Sequence, residues 1–171
     1  MKKIFLFLIL TYFVHTSVFA RSTGCKEGNC ENGYGKWVYT DKTTYEGEWV
    51  ETKKQGQGVE TWPNGYIYKG EFENSVWSGQ GILTFPDGSN YEGEWVETKK
   101  QGKGVETWPN GYIYKGEFKN SVWSGQGLLI FPDGSTYDGE WANGFMNGNG
   151  TFTWADGKQK SGIWINGKLQ E

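Results

Sequence analysis

Short runs of aromatic and aliphatic residues alternate with polar residues along most of this chain, and each run ends at turn-forming residues. Within a run, apolar side chains tend to stand at every second position, which is the period of a β-strand with one buried face. Pairs of runs flank Pro-Asp-Gly or Pro-Asn-Gly, a sequence typical of a hairpin turn. All four prolines, Pro63, Pro86, Pro109 and Pro132, occupy this turn, so no predicted strand contains one. The pattern predicts an all-β chain of consecutive hairpins.

The hairpins repeat every 23 residues. The phrase Tyr-x-Gly-Glu-Trp/Phe starts at Tyr45, Tyr68, Tyr91, Tyr114 and Tyr137, and a degenerate copy starts at Lys160. A fixed period of this length indicates a stacked repeat array. We therefore predict an elongated single antiparallel sheet of tandem hairpins over residues 33–167, preceded by a signal peptide at 1–20 and a cysteine loop at 21–32, and followed by a tail at 168–171.

The turn chemistry also predicts a register. A type I turn followed by a glycine bulge pairs Phe85 with Ser89 and Leu83 with Tyr91. Leu83, Phe85, Tyr91 and Trp95 then share one face, while the glutamates and lysines of the phrase project from the other. On the aromatic face the glycine of each Tyr-x-Gly-Glu phrase is expected to leave a slot for a ring from the neighbouring strand.

A second period of 46 residues overlies the first. Residues 45–90 and 91–136 differ at only five positions, and Gly-Val-Glu-Thr-Trp hairpins alternate with Gly-Ile/Leu-Leu-Thr/Ile-Phe hairpins. Glu60 and Glu106 are therefore expected among the aromatic rings, either as solvated edge residues or as groups that orient a ligand. They lie about 19 Å apart, from four strand spacings, which is too far for the carboxylate pair of a glycosidase.

Charge and histidine content exclude several functions. Two of the 17 basic residues lie in residues 1–20, which leaves 15 against 20 acidic residues and argues against nucleic acid as a partner. The only histidine, His15, lies in the same segment, so the remaining chain has no histidine for general-base catalysis or metal binding. We predict no enzyme activity, no catalytic or metal-binding residues and no cofactor.

The N-terminus resembles a secretory signal. Lys2 and Lys3 precede the apolar residues 4–10, and Val18-Phe19-Ala20 is similar to a cleavage site. An exported protein, periplasmic, secreted or on the cell surface, is expected to join Cys25 and Cys30 in a disulfide. A lipid anchor on Cys25 is the alternative.

The repeats resemble those of the MORN family. The resemblance rests on Tyr-x-Gly-x-Trp/Phe, Gly-x-Gly, an aromatic strand and Asp/Asn-Gly, and it extends over about residues 33–167, or roughly six units. It implies a twisted antiparallel sheet with a concave groove, in a family of scaffolds, dimerisation modules and accessory regions for which phospholipid binding has been inferred in some members. Thr52, Ser75, Thr98 and Ser121 stand where the family often has a glycine, and Lys53-Lys54 and Lys99-Lys100 are expected to form small basic spots in the connections.

The aromatic face is the predicted binding surface. Most of its rings are expected to form the core of the repeats, and the others to line a groove that binds a protein, with a glycan or a membrane lipid as alternatives and a homodimer left open. The candidate groove residues are Glu60, Trp62, Tyr68, Phe85, Trp95, Glu106, Trp108, Tyr114, Phe131 and Trp141.

Overall fold

Fourteen strands form one open antiparallel sheet in which every strand pairs with its neighbours in the sequence. The structure is a computed structural model that describes residues 23–170. The predicted signal peptide and the cleavage after Ala20 lie outside these residues. The strands are β1 Gly24–Gly28, β2 Gly33–Val38, β3 Thr44–Val50, β4 Lys53–Thr61, β5 Ile67–Glu73, β6 Val76–Thr84, β7 Asn90–Val96, β8 Lys99–Thr107, β9 Ile113–Lys119, β10 Val122–Ile130, β11 Thr136–Ala142, β12 Phe145–Thr153, β13 Gln159–Ile165 and β14 Lys168–Leu169.

The predicted register is confirmed in the hairpin that joins β6 to β7. Leu83 pairs with Tyr91, and the Phe85 amide donates to the Ser89 carbonyl at 2.9 Å. The Asp87 carboxylate accepts from the Ser89 amide at 2.9 Å, and this bond adds to the backbone turn bond from the Gly88 amide to the Phe85 carbonyl at 3.0 Å. The all-β fold and the tandem hairpins are therefore as predicted. Strand β14 extends the sheet into the residues that were predicted as a tail.

Strands β4, β6, β8 and β10 each contain a bulge near their first glycine. Strand β6 starts at Val76, ahead of Gly79, and two extra residues form its bulge between the pairs Gly70–Gly81 and Glu71–Ser78. Gly79 has a φ of 56° there, a conformation that favours glycine. The Glu71 carboxylate accepts from the Gln80 amide at 2.9 Å and closes the bulge. This glutamate was predicted only to project from the face opposite the rings, and its contact with the backbone is a role that the prediction missed.

The short connections fasten each repeat to the one before it. The Ser75 amide donates to the Lys54 carbonyl at 2.9 Å, and the Thr98 amide donates to the Trp77 carbonyl at 3.0 Å. The same bond recurs from Gly144 to Trp123. Each connection therefore satisfies backbone groups across a bulge, and the array is linked by hydrogen bonds beyond its strand ladder.

Thr98 offers a test of the strain in these connections. Its φ is 63°, which is unfavourable for a β-branched residue, whereas Gly144 takes the equivalent position at 80°. We expect Thr98→Gly to raise the free energy of unfolding by about 1 kcal/mol in urea titrations followed by fluorescence. Ser121→Gly is the matched control, because the Ser121 hydroxyl accepts a hydrogen bond from the Lys100 amide at 3.0 Å. Loss of this hydrogen bond should offset the relief of backbone strain, so the free energy of unfolding should change little. A destabilised Thr98→Gly variant would contradict this account of the connection.

Candidate functional site

The aromatic face has an inner layer made of the repeat tyrosines. Tyr45, Tyr68, Tyr91, Tyr114 and Tyr137 are each 0 % exposed. The Tyr91 ring lies across Gly93 of its own strand and Gly104 of the next, and its hydroxyl donates to the Glu94 carbonyl at 3.0 Å. The slot over Gly93 is thus filled by the tyrosine of its own phrase, and the prediction of a ring from the neighbouring strand was wrong at this position. A side chain on either glycine has no room beneath the tyrosine.

Tryptophans of the same phrase complete this buried layer. The indole N–H of Trp95 donates to the Gly81 carbonyl at 3.1 Å, and that of Trp141 donates to the Gly127 carbonyl at 2.9 Å. Both rings are at most 5 % exposed. Four of the ten candidate groove residues, Tyr68, Trp95, Tyr114 and Trp141, are therefore core residues that a ligand does not reach in this structure.

An outer layer covers the tyrosines, and it alternates along the array. Trp77 stacks on Tyr68 with ring centroids 4.2 Å apart and planes 3° from parallel, and Trp123 stacks on Tyr114 in the same way. In β4 and β8 a lysine takes the place of this tryptophan, and β12 has Met146 at the equivalent position. The Lys54 ammonium lies 5.2 Å from the Tyr45 ring centroid, and the Lys100 ammonium lies 4.9 Å from that of Tyr91. Both distances fit a cation–π contact.

Each of these lysines forms an ion pair with the glutamate that the sequence singled out. Lys54 pairs with Glu60, and Lys100 pairs with Glu106, with every side chain no more than 13 % exposed. The indole N–H of Trp123 also donates to Glu106 at 3.0 Å. Glu60 and Glu106 do lie on the aromatic face, but they are not solvated edge residues, and their carboxylates are already occupied. Lys54 and Lys100 lie in strands rather than in the connections, so the prediction of exposed basic spots was wrong for them.

Half-buried rings remain along the turn side of the aromatic face. We call Trp62, Phe85, Trp108 and Phe131 the outer ring row, since they occupy the same position in successive repeats. Trp62 meets Trp77 edge to face at 5.8 Å, and Trp108 meets Trp123 in the same geometry and at the same distance. A depression of about 420 Å³ adjoins the first pair and is lined by Tyr39, Lys54, Glu60 and Trp62, among others. Of the candidate groove residues, the outer ring row therefore offers the accessible rings.

The cysteine loop closes the N-terminal end of this face. Cys25 and Cys30 form a disulfide, so the Cys25 sulfur is not free to carry a lipid in this state. Trp37, Tyr39 and Trp49 line a depression of about 800 Å³ beside it. In residues 23–170 no three potential metal ligands of the His, Cys, Asp and Glu types come together. The same residues contain no helix that is long and apolar enough to cross a membrane.

The repeat unit now has a defined structure, in which Tyr, Gly and Trp/Phe form one packing module and Glu closes the bulge. The sequence profile of the MORN repeat matches at residues 45–65, 68–90, 91–111, 114–136 and 137–159. The chain belongs to the MORN repeat family. The match comprises five repeats, and the degenerate sixth copy that begins at Lys160 lies outside it. MORN repeats make the chain a repeat-based binding module.

One solved structure shares the fold of this MORN array, and a second is similar to part of it. The TCP domain of SAS-4 of Drosophila melanogaster, in complex with a proline-rich motif of Ana2, matches over 95 % of this chain and 86 % of that chain, with a TM-score of 0.54. The TCP10c domain of Drosophila melanogaster Sas-4 matches over 81 % of this chain and 97 % of that chain, with a TM-score of 0.43. The sequence identities are 10 % and 9 %, so the first match shows a likeness of fold alone. No curated protein shows significant sequence similarity to this chain.

Proposed function

We propose that this MORN array is a non-enzymatic protein-binding module whose outer ring row binds an extended peptide segment of a partner protein. The observation that carries the proposal is the repeated pair of half-buried indoles, Trp62 with Trp77 and Trp108 with Trp123. The two pairs stand 46 residues apart in the sequence, or about 19 Å across four strand spacings. Rigid aromatic rings held on a sheet are typical anchors of peptide recognition.

A proline-rich peptide suits this surface best. Such peptides are already extended, and they dock their rings and methylenes on grooves lined by aromatic side chains. At about 3.1 Å per residue, a polyproline II segment reaches from one indole pair to the next in about six residues. The fold neighbour with a proline-rich motif bound to it supports this choice of ligand.

The ion pairs beside the rings give the surface a fixed shape. Glu106 holds Trp123 through its carboxylate and Lys100 through its charge, so the rings of the second pair have little freedom before a ligand arrives. No nucleophile lies beside a base of the histidine type, since the chain beyond residue 20 has no histidine. That chemistry supports the proposal of binding without catalysis. Export of the protein remains part of the proposal, and mass spectrometry of the mature N-terminus tests it.

Substitution of the two accessible indoles tests the proposed site. We expect wild-type protein to bind members of a displayed library of proline-rich peptides, and Trp62→Ala with Trp108→Ala to weaken the best of them by at least about tenfold, because the ligand loses both aromatic anchors. Isothermal titration calorimetry with that peptide measures the change.

Tyr34→Ala is the matched control, since Tyr34 is 62 % exposed and lies on the opposite face of the sheet. It should leave the affinity unchanged. Circular dichroism spectra must show that all variants keep the sheet. A library without a binder, or a double variant that binds as tightly as the wild type, would overturn the proposed function.

A further inference from the structure

The depression beside Trp62 differs in chemistry from the rest of the aromatic face. It has a volume of about 420 Å³ and lies where the turn between β2 and β3 meets β4. Tyr39 and Trp62, which stand at the same position of successive repeats, line it with aromatic rings. The Lys54–Glu60 ion pair and Asp41 of the turn line it as well. The depression therefore brings flat rings and two carboxylates together.

One oxygen of the Glu60 carboxylate is free to accept a hydrogen bond. Lys54 occupies its Oε1 atom, but no donor among residues 23–170 is bonded to Oε2, whereas Oε2 of Glu106 accepts from the Trp123 indole at 3.0 Å. The free oxygen is not enclosed, because the hydroxyl oxygen of Thr43 is the only fully buried side-chain polar atom without a partner in those residues. Glu60 as a whole is only 7 % exposed. A carboxylate oxygen in such dry surroundings binds a charged donor more strongly than one on an open surface.

The Thr43 hydroxyl is a second unused group at the same place. Thr43 lines the depression and is 4 % exposed, and its hydroxyl has no hydrogen-bond partner in the described part of the chain. At the equivalent position 46 residues later, the Ser89 hydroxyl donates to the Asp87 carboxylate at 2.6 Å. A buried hydroxyl without a partner is unfavourable, so a ligand that bonds to it gains affinity from that contact.

The depression carries a net negative charge. The charges of Lys54 and Glu60 cancel each other, and Asp41 adds a carboxylate that forms no ion pair with any lysine of residues 23–170. The Asp41 carboxylate accepts from the Thr43 amide at 2.9 Å, which holds it at the turn. Lys42, the other charged residue of this turn, does not line the depression. A ligand with one positive charge is therefore complementary to it.

We propose that this depression binds an arginine side chain of the partner peptide, an inference that rests on the proposed function. A guanidinium group is planar and carries five N–H donors, so it can donate to Glu60 and Asp41 while its flat face lies against an aromatic ring such as Trp62. Its positive charge neutralises the charge that Asp41 adds. The ammonium group of a lysine fits less well, because it is more strongly hydrated and has no flat face.

The arginine gives the bound peptide one direction along the array. At the equivalent place 46 residues later, Phe85 stands where the first copy has Tyr39, and the Trp123 indole occupies Oε2 of Glu106. The two places are about 19 Å apart across four strand spacings, which a polyproline II segment spans in about six residues. We therefore expect the arginine at one end of the bound motif and prolines about six residues away, over the second indole pair.

Two peptides that differ at one side chain test the inference. The probe is the tightest-binding peptide from the displayed proline-rich library, synthesised once with its arginine and once with citrulline, which has nearly the same shape but no charge. Isothermal titration calorimetry with the full chain should show that the arginine form binds at least about tenfold more tightly. The reason is that citrulline loses the charge-assisted hydrogen bonds to Glu60 and Asp41.

Asp41→Asn should lower this preference for arginine over citrulline at least about threefold and leave the affinity for the citrulline peptide unchanged. The variant keeps an acceptor for the Thr43 amide, so the turn is retained. Asp87→Asn is the matched control, because it makes the same change at the equivalent turn of the second copy, and it should leave the preference unchanged.

The outcomes distinguish this inference from the proposed function. Library binders without arginine, equal binding of the two peptides, an unchanged preference in Asp41→Asn, or an equal loss in Asp87→Asn would each overturn the arginine site, and the peptide-binding function would stand. A library without any binder would overturn both.

Discussion

Lys100→Ala and Glu106→Ala are each expected to lower the free energy of unfolding by about 3 kcal/mol, whereas Lys100→Trp with Glu106→Leu should fold about as stably as the wild type. Each single change leaves one charge unpaired beneath the outer rings, where each partner side chain is no more than 13 % exposed. The double change installs the residues that the neighbouring hairpin already has, Trp77 and Leu83, which cover the equivalent tyrosine without any charge. Urea titrations followed by tryptophan fluorescence measure the differences.

The same variants show why the array keeps two charged hairpins. A buried ion pair adds little stability over apolar residues of similar size. If the double variant is stable but no longer binds the peptide, the pair serves recognition by shaping the surface at Trp108 and Trp123. A double variant as unstable as the single ones would show that the hairpins are not interchangeable and would contradict the structural equivalence of Lys100 and Trp77.

The sheet is expected to lose stability steeply as the pH rises above 10. Burial raises the pKa of Tyr39 to about 12, with the negative charges of Glu60 and Asp41 adding to the effect. Burial likewise raises the pKa of Tyr45, Tyr68, Tyr91 and Tyr114. In the unfolded chain these hydroxyls lose their protons near pH 10, so above that pH the folded state binds more protons than the unfolded state. The stability that the neutral tyrosines contribute is therefore complete below pH 10 and is lost as the pH rises towards their folded-state pKa values.

Each buried tyrosine contributes about 1.4 kcal/mol per pH unit to this loss. Urea midpoints at pH 9, 10 and 11 measure the slope, and absorbance of tyrosinate at alkaline pH should rise together with unfolding. Tyr91→Phe is the control, since it removes one titrating group and the hydroxyl bond to the Glu94 carbonyl at 3.0 Å. It should cost about 1 kcal/mol at pH 7 and reduce the slope above pH 10. A urea midpoint that stays constant from pH 9 to pH 11 would contradict the burial of these rings.

Local chemistry explains what the sequence could predict. Pro-Asp-Gly turns determine hairpin register within a few residues, and the alternation of apolar and polar positions then assigns each side chain to a face. Leu83 and Tyr91 pair as expected for that reason. The sequence did not predict how deeply the tyrosine rings are buried. Their burial comes from rings that lie across glycines, as Tyr91 does across Gly93 and Gly104, and not from a second layer of the protein.

The candidate site was predicted only in part, and the bulges are the reason. Glu60 and Glu106 lie on the aromatic face as expected. Their ion-pair partners, Lys54 and Lys100, were predicted to lie in the connections between strands. Two extra residues at each bulge extend the strand back to Lys53 and bring Lys54 opposite Trp49. One signal was present in the sequence, since Lys54 and Lys100 stand at the repeat position that Trp77 and Trp123 fill in the alternate hairpins.

The central claim is that the aromatic face has a buried layer that holds the fold and an outer layer that binds a peptide. Nuclear magnetic resonance of the tryptophan indole N–H groups during titration with the selected proline-rich peptide tests it most directly. We predict that the signals of Trp62 and Trp108, with those of Trp77 and Trp123, shift with the peptide. The signals of Trp95 and Trp141 should stay in place, because their indoles donate to the Gly81 and Gly127 carbonyls at 3.1 and 2.9 Å. A bound peptide that leaves Trp62 and Trp108 unshifted would contradict the account.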